Sequence, residues 1–251
     1  LWWIYPLLAV FINTAGICIA WGYLFIDRKI KYRGDFTALV AFQNGTFLPL
    51  AFASVLFGPD KLPQFLNLFF LYCLLQVPTF FTLAVWLVNS ESTPGKRLKS
   101  LLNPPNAATI LGLLIVLTGL SSHVPDWIVR PLSTVGSMTP ILAAFFIGGI
   151  IVTNLFQAKP ESWSEPVKAM LLKCMVIPAL AAIFVYLFHP PEYIALFIIM
   201  QSAMPSALLI ALVLPPDEKR HATVAACILL TSLICIVTLP FFMGLFGALY
   251  W

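Results

Sequence analysis

The sequence predicts an all-α integral membrane protein with eight membrane-spanning helices. Three observations carry this. Of the 251 residues, 61% are hydrophobic and only 10% charged, against about 25% charged in an ordinary soluble domain, too few to cover a water-facing surface. The charges fall in clumps separated by long charge-free runs. The Lys and Arg counts of successive clumps alternate between high and low, as they do in a chain that crosses a bilayer repeatedly. The apolar blocks are solid, whereas a closed β-barrel needs alternating apolar and polar positions, so a barrel is excluded.

A helix rising about 1.5 Å per residue needs roughly 20 apolar residues to cross the hydrocarbon core. The first run, Leu1–Ile26, meets that length and ends at Arg28, Lys29, Lys31 and Arg33. The second, Thr37–Gly58, ends at the lone Lys61, and the third, Leu62–Ser90, at Lys96, Arg97 and Lys99. The fourth, Ser100–Pro125, leads to Arg130 alone, and the fifth, Pro131–Ala158, to Lys159 and Lys168. The sixth, Cys174–Pro191, is the shortest; it reaches a full span when Lys168 and Lys173 snorkel from its first turns. No basic residue separates it from the seventh, Tyr193–Pro216, which runs into Lys219 and Arg220 before the eighth, Ala222–Trp251. The positive-inside rule then places Asp27–Asp35, Ser90–Ser100, Lys159–Lys168 and Asp217–His221 in the cytoplasm. Both visible termini fall on the other side of a cell membrane.

Several functions are excluded. The net charge of +4 is dispersed among the loops, so no nucleic-acid partner is expected. Cys18, Cys73, Cys174, Cys227 and Cys235 sit singly in apolar segments and read as small core residues without metal-ligand spacing. His123, His189 and His221 fall at span ends. No His-Glu motif, intramembrane aspartate pair or Ser–His constellation stands in the sequence, so no catalytic residue, metal or cofactor is assigned and an enzyme is not expected. No acidic or basic residue falls in mid-span, with Asp35 and Lys173 read as near helix starts, so the ionisable group typical of a proton pathway is not evident. Leu1 opens inside an apolar run with no basic segment before it, unlike a cleavable signal peptide.

Two segments combine a polar cluster with a proline in mid-span: Gln43-Asn44-Gly45-Thr46-Phe47-Leu48-Pro49 and Gln201-Ser202-Ala203-Met204-Pro205-Ser206. Thr37–Gly58, which holds the first segment, points out of the cytoplasm and Tyr193–Pro216, which holds the second, into it. This is the signature of an inverted repeat with two broken crossover helices. Residues 1–100 then hold the last three helices of one repeat and residues 101–251 the five of the other. Matching the halves leaves about fifty residues, or two helices, expected before Leu1, giving ten in all.

Broken helices persist in a membrane where they are buried in protein or line a cavity. Half-helix N-termini offer free N–H groups and partial positive charge to an anion. Asn44, Gly45, Thr46, Pro49, Gln201, Ser202, Pro205 and Ser206 are therefore the candidate substrate-binding residues, with Gln43 beside them. Asn13, and Met138 with Thr139 ahead of Pro140, are weaker candidates. Thr14, Gln76 and Asn154 are open between cavity and packing roles. Asn44-Gly45-Thr46 is also a glycosylation sequon, but a site inside the membrane cannot reach the modifying enzyme.

Leu101-Leu102-Asn103-Pro104-Pro105 with Ala107–Gly112, Thr139-Pro140-Ile141-Leu142 with Gly148-Gly149, Lys173 through Pro178, Met204-Pro205-Ser206, and Thr231-Ser232 with Thr238-Leu239-Pro240 occur in an order that resembles the auxin efflux carrier family, of the bile-acid-symporter-like fold. Asn44-Gly45 ahead of Pro49 is similar to that family's fourth helix. The resemblance covers the chain as helices three to ten. It implies ten helices, a scaffold of helices one, two, six and seven, and a mobile unit in which helices four and nine cross at the substrate. The expected function is a secondary transporter of a small organic anion, working by an elevator-type shift. A sodium-coupled bile-acid-type symporter is the alternative that shares the fold. A non-transporting membrane sensor or interaction protein is the alternative of another class, although no loop exceeds about fifteen residues, too short for a soluble domain. The bilayer and a carboxylate-bearing solute are the expected partners, and a homodimer is left open.

Overall fold

A computed structural model describes residues 2–89, 104–157, 160 and 162–250. Helix α1 (Ile4–Ile26) is apolar throughout and, at 23 residues, about 35 Å long. Helices α2 (Arg33–Ala41) and α3 (Phe47–Leu56) are parted by non-helical residues 42–46. α4 (Leu62–Val88) carries a π-helical turn at Phe80–Ala84 just after Pro78. α5 (Pro104–Leu117) and α6 (Asp126–Gln157) follow, joined through a 3-10 turn at Leu120–His123. α7 (Ser164–Phe188) has its own π-helical turn at Leu172–Val176. α8 (Glu192–Ala203) and α9 (Ile210–Val213) are parted by residues 204–209, and α10 (Glu218–Tyr250) closes the order.

Among the described residues, α1, α4, α7 and α10 are each long and apolar enough to cross a membrane. The protein is an integral membrane protein of helices. The expected loop at Ser90–Ser100 and the basic Lys159 lie outside the described residues.

Local chemistry explains both interruptions. Pro49 sits third in α3, where its missing N–H would have had no helical partner anyway. The Asn44-Gly45 pair ahead of it is poor in helix propensity. Proline disfavours the helical conformation of the residue before it, and Met204, ahead of Pro205, is extended at ψ 146°. α7 ends at His189, which adopts the left-handed φ of 45° before the Pro190-Pro191 pair.

The buried apolar residues form two cores. One gathers Tyr5, Phe65, Phe69, Phe197 and Phe246 around α8; the other gathers Leu24, Phe36, Phe42, Phe80 and Ile210 around α2. Between them lies a layer of buried polar side chains: Asn13, Gln43, Gln76, Gln201, Ser206 and Thr231. Both interruptions fall in this layer. α1 packs on α2 and α4, and α7 packs on α8 and α10. α5 lies against α4 and α6 against α10, and α5 buries only Asn106, which donates to Thr82 Oγ1 at 3.4 Å.

One expectation is corrected. Lys173 was placed near a helix start because the charge-free run begins at Cys174. The helix instead begins at Ser164, so Lys173 lies nine residues, about 13 Å, inside it and is 1% exposed. It makes no ion pair among the described residues. Ionisable side chains this deep in a membrane protein mark functional positions.

Candidate functional site

The two interruptions pair with each other. Asn44 N–H donates to Pro205 O at 2.8 Å and Ala207 N–H to Phe42 O at 2.9 Å, flanking a single antiparallel bridge between Gln43 and Ser206. Unwound backbone in an apolar interior must find partners, and here each break supplies them to the other. Side chains complete the exchange. Ser206 Oγ donates to Leu39 O at 2.7 Å, taking up one of the free carbonyls at the end of α2. Ser206 N–H donates to Thr231 Oγ1 of α10 at 3.3 Å. Gln201 Nε2 donates to Gly45 O at 3.2 Å.

Gly45 sits at the tightest point. A Cβ there would lie 2.8 Å from Gln201 Oε1 and 3.2 Å from Gln76 Nε2, so only glycine fits between the two amides. Gln76 anchors a hydrogen-bonded chain: Asn13 Nδ2 donates to its Oε1 at 2.9 Å, Tyr72 OH donates to the same oxygen at 3.3 Å, and Gln43 Nε2 donates to Tyr72 OH at 2.9 Å. The carbonyl oxygens of Asn13, Gln43 and Gln201 are buried without a hydrogen-bond partner, an arrangement that costs about 1–3 kcal/mol per group unless something fills it.

Two cavities open on this cluster. The smaller, about 40 Å³, is bounded by Gln43, Asn44, Gly45, Thr46, Gln76 and Phe80, among others. It holds an occupant of the size of a few waters. The larger, about 730 Å³, is mainly apolar, with Phe47, Phe52, Phe145, Pro205, Ile236 and Leu239 in its walls. That volume is in the range of small-molecule sites. Asn44 and Phe47 border both, so the half-buried Asn44 stands where the polar pocket meets the apolar one. Thr46 precedes α3 and makes no side-chain cap to it, which leaves the first N–H groups of that helix uncapped by side chains beside the cavity.

Of the residues singled out in the sequence, the structure brings together Asn13, Gln43, Asn44, Gly45, Thr46, Gln201, Pro205 and Ser206. Pro49 is buried in the first turn of α3. Ser202 is buried on α8 but borders neither cavity. Met138 is 49% exposed on α6 and borders neither, while the side chains of Thr139 and Asn154 lie outside those described. Thr14 points away, exposed, its hydroxyl donating to Val10 O at 2.8 Å. Tyr72, Phe145 and Ser232 were missed.

Paired helix interruptions in a buried polar layer, next to a cavity of small-molecule size, define a class: a helical membrane protein with a solute-sized cavity beside its helix breaks. The comparison with protein families agrees. The chain matches the membrane transport protein family over residues 1–243. It belongs to that family, the auxin efflux carrier family domain, and is a membrane transport protein. A comparison with curated proteins found no match.

Proposed function

We propose that the protein is a secondary transporter of a small organic anion, and that its substrate binds where the segments 42–46 and 204–209 meet. One observation carries the reading. Asn44 lies between a polar pocket and an apolar cavity of about 730 Å³, beside the uncapped N-terminus of α3. A carboxylate gains from free N–H groups and the positive end of a helix dipole, while its apolar body fits the aromatic and aliphatic walls. Among the described residues, no acidic side chain borders either cavity.

The same reading takes the two interrupted helices as crossovers of an inverted repeat, residues 1–100 against residues 101–251, in a fold of eight spans. The recurrence of one neighbour pattern supports it, since α1 packs on α2 and α4 as α7 packs on α8 and α10. The mechanism is an elevator shift of these six elements and their breaks past α5 and α6, most of whose described side chains are exposed. The basic end of the bundle faces the cytoplasm.

The unpartnered oxygens of Asn13, Gln43 and Gln201 favour a second reading, the sodium-coupled symporter, because such oxygens accept a cation. Counterflow of radiolabelled mono- and dicarboxylates in liposomes, with sodium and then with choline outside, tests both. Carboxylate exchange in either medium supports the first reading, exchange only with sodium the second. Exchange of no carboxylate in either medium overturns the anion assignment.

A further inference from the structure

A third cavity lies away from the helix interruptions, on the outer surface where α1 and α4 end and α2 begins. It measures about 450 Å³ and is lined by Trp21, Leu24, Phe25, Arg33, Trp86 and Leu87, with Gly34 and Thr37 at its back. Trp21, Phe25 and Trp86 are 48%, 74% and 40% exposed. Trp21 stands five residues before the end of α1 and Trp86 two before the end of α4. Both tryptophans are therefore at the depth where indole rings collect, level with lipid headgroups.

Among the described residues, Arg33 is the one charged side chain in the lining. Its Nη2 donates to Leu24 O at 3.2 Å, and among the described residues no carboxylate lies within ion-pair distance of it. The acids nearby are engaged elsewhere. Asp27 holds Lys168 at 2.6 Å, Asp35 holds Arg220 at 2.5 Å, and Glu165 accepts the Lys31 N–H at 3.0 Å. A guanidinium with donors to spare and, among the described residues, no counter-charge is suited to the planar, bidentate recognition of phosphate. α2 approaches α4 so closely that a Cβ on Gly34 would collide with the Leu87 carbonyl, which makes the back wall of the groove two bare backbones.

We propose that this groove binds the headgroup of an anionic glycerophospholipid, its phosphate on Arg33 and its upper acyl chain on Trp21, Phe25 and Trp86. A lipid is the occupant because the walls are exposed aromatic and aliphatic surface on helices that face the bilayer, which a free phosphate would leave uncovered. Arg28, Lys29 and Lys31 in the same connection draw anionic lipid toward it.

The test is native mass spectrometry of the full chain released from nanodiscs that contain equal amounts of phosphatidylglycerol and phosphatidylcholine. The wild-type protein should retain phosphatidylglycerol preferentially. Arg33→Gln should lower that retention about fivefold, the effect of one basic residue at a membrane surface. Arg33→Lys should lose less, and Arg28→Gln, outside the groove, should lose little. Trp21→Ala with Trp86→Ala should reduce retention of both lipids. Equal retention of the two lipids by the wild type, an unchanged preference in Arg33→Gln, or displacement of the lipid by millimolar inorganic phosphate overturns the proposal.

Discussion

Gly45 has room for a hydrogen and nothing more. With Gln201 Oε1 at 2.8 Å and Gln76 Nε2 at 3.2 Å from an added Cβ, Gly45→Ala must displace one of two buried amides. Overpacking of this kind costs about 1–3 kcal/mol. We expect a lower melting temperature in detergent and slower counterflow, and an unchanged melting temperature would refute the crowding. Asn44 separates charge from size. Asn44→Ala would remove the proposed hydrogen bond from its amide to the carboxylate, about 1.5–3 kcal/mol for a bond to a charged group, and should weaken binding of an anion about tenfold or more. Asn44→Asp places a negative charge at the proposed carboxylate site and should nearly abolish binding; wild-type affinity in that variant would move the anion site elsewhere. Lys173 makes a different prediction. It is 1% exposed with no ion pair among the described residues, and a buried charge without a partner is costly. Lys173→Met should therefore hold or raise the melting temperature, whatever it does to transport. A fall of several degrees would mean that the ammonium is bonded in the folded protein.

The interrupted helices show what was legible at the scale of elements. Gln43–Pro49 and Gln201–Ser206 announced themselves because polar side chains and proline are costly in mid-membrane, and both segments do leave the helix there. What the breaks do for each other was hidden: the pairing of Gln43 with Ser206 joins residues far apart in sequence, and no local pattern encodes it. The partners on continuous helices were hidden too. α1 and α4 are apolar on all sides, so periodicity does not say which face is buried, and Asn13 and Thr14 could not be told apart. In the structure Asn13 is fully buried against Gln76 while Thr14 is exposed. Lys173 was misplaced because a charge was taken as the edge of a span, although α7 begins nine residues earlier. Ser206 is one of the residues that tie the second break to the first interrupted helix. Ser206→Ala leaves the Leu39 carbonyl unsatisfied and should destabilise the protein by about 1–3 kcal/mol, read as a lower melting temperature. The ion pair at the basic end behaves otherwise. The Lys168 ammonium, then the Lys29 N–H, hold the Asp27 carboxyl below its usual range. A lowered carboxylate pKa contributes stability above the unfolded value, about 3.9, that is lost as pH falls through the folded value. Pairing of Asp27 with Lys168 should thus be constant from pH 5 to 8, and any pH dependence of transport in that window arises from other groups.

At the scale of the whole molecule, the two apolar cores and the polar layer between them behave as one packed unit, tied together by α1, α4, α7 and α10. α5 and α6 pack on the edge of this unit, α5 against α4 and α6 against α10. Most of their described side chains are exposed. An elevator requires such a division, because one body must slide while the other holds its place in the bilayer. The large cavity is lined by Phe145 of α6 together with Asn44, Pro205 and Leu239, so a slide would carry the proposed substrate site past Phe145. Spin labels distinguish this from local opening. In a background with the exposed Cys18 replaced by serine, one pair joins Leu142 on α6 to Phe70 on α4, and another joins Leu180 on α7 to Phe70. All three positions are exposed, at 57%, 61% and 48% for Leu142, Phe70 and Leu180, so labels there should not disturb packing. Adding a transported carboxylate should shift the Leu142–Phe70 distance distribution and leave Leu180–Phe70 unchanged. If both distributions stay fixed while counterflow proceeds, α6 does not move relative to the packed unit. The solute would then pass by local opening at the paired breaks, with no elevator.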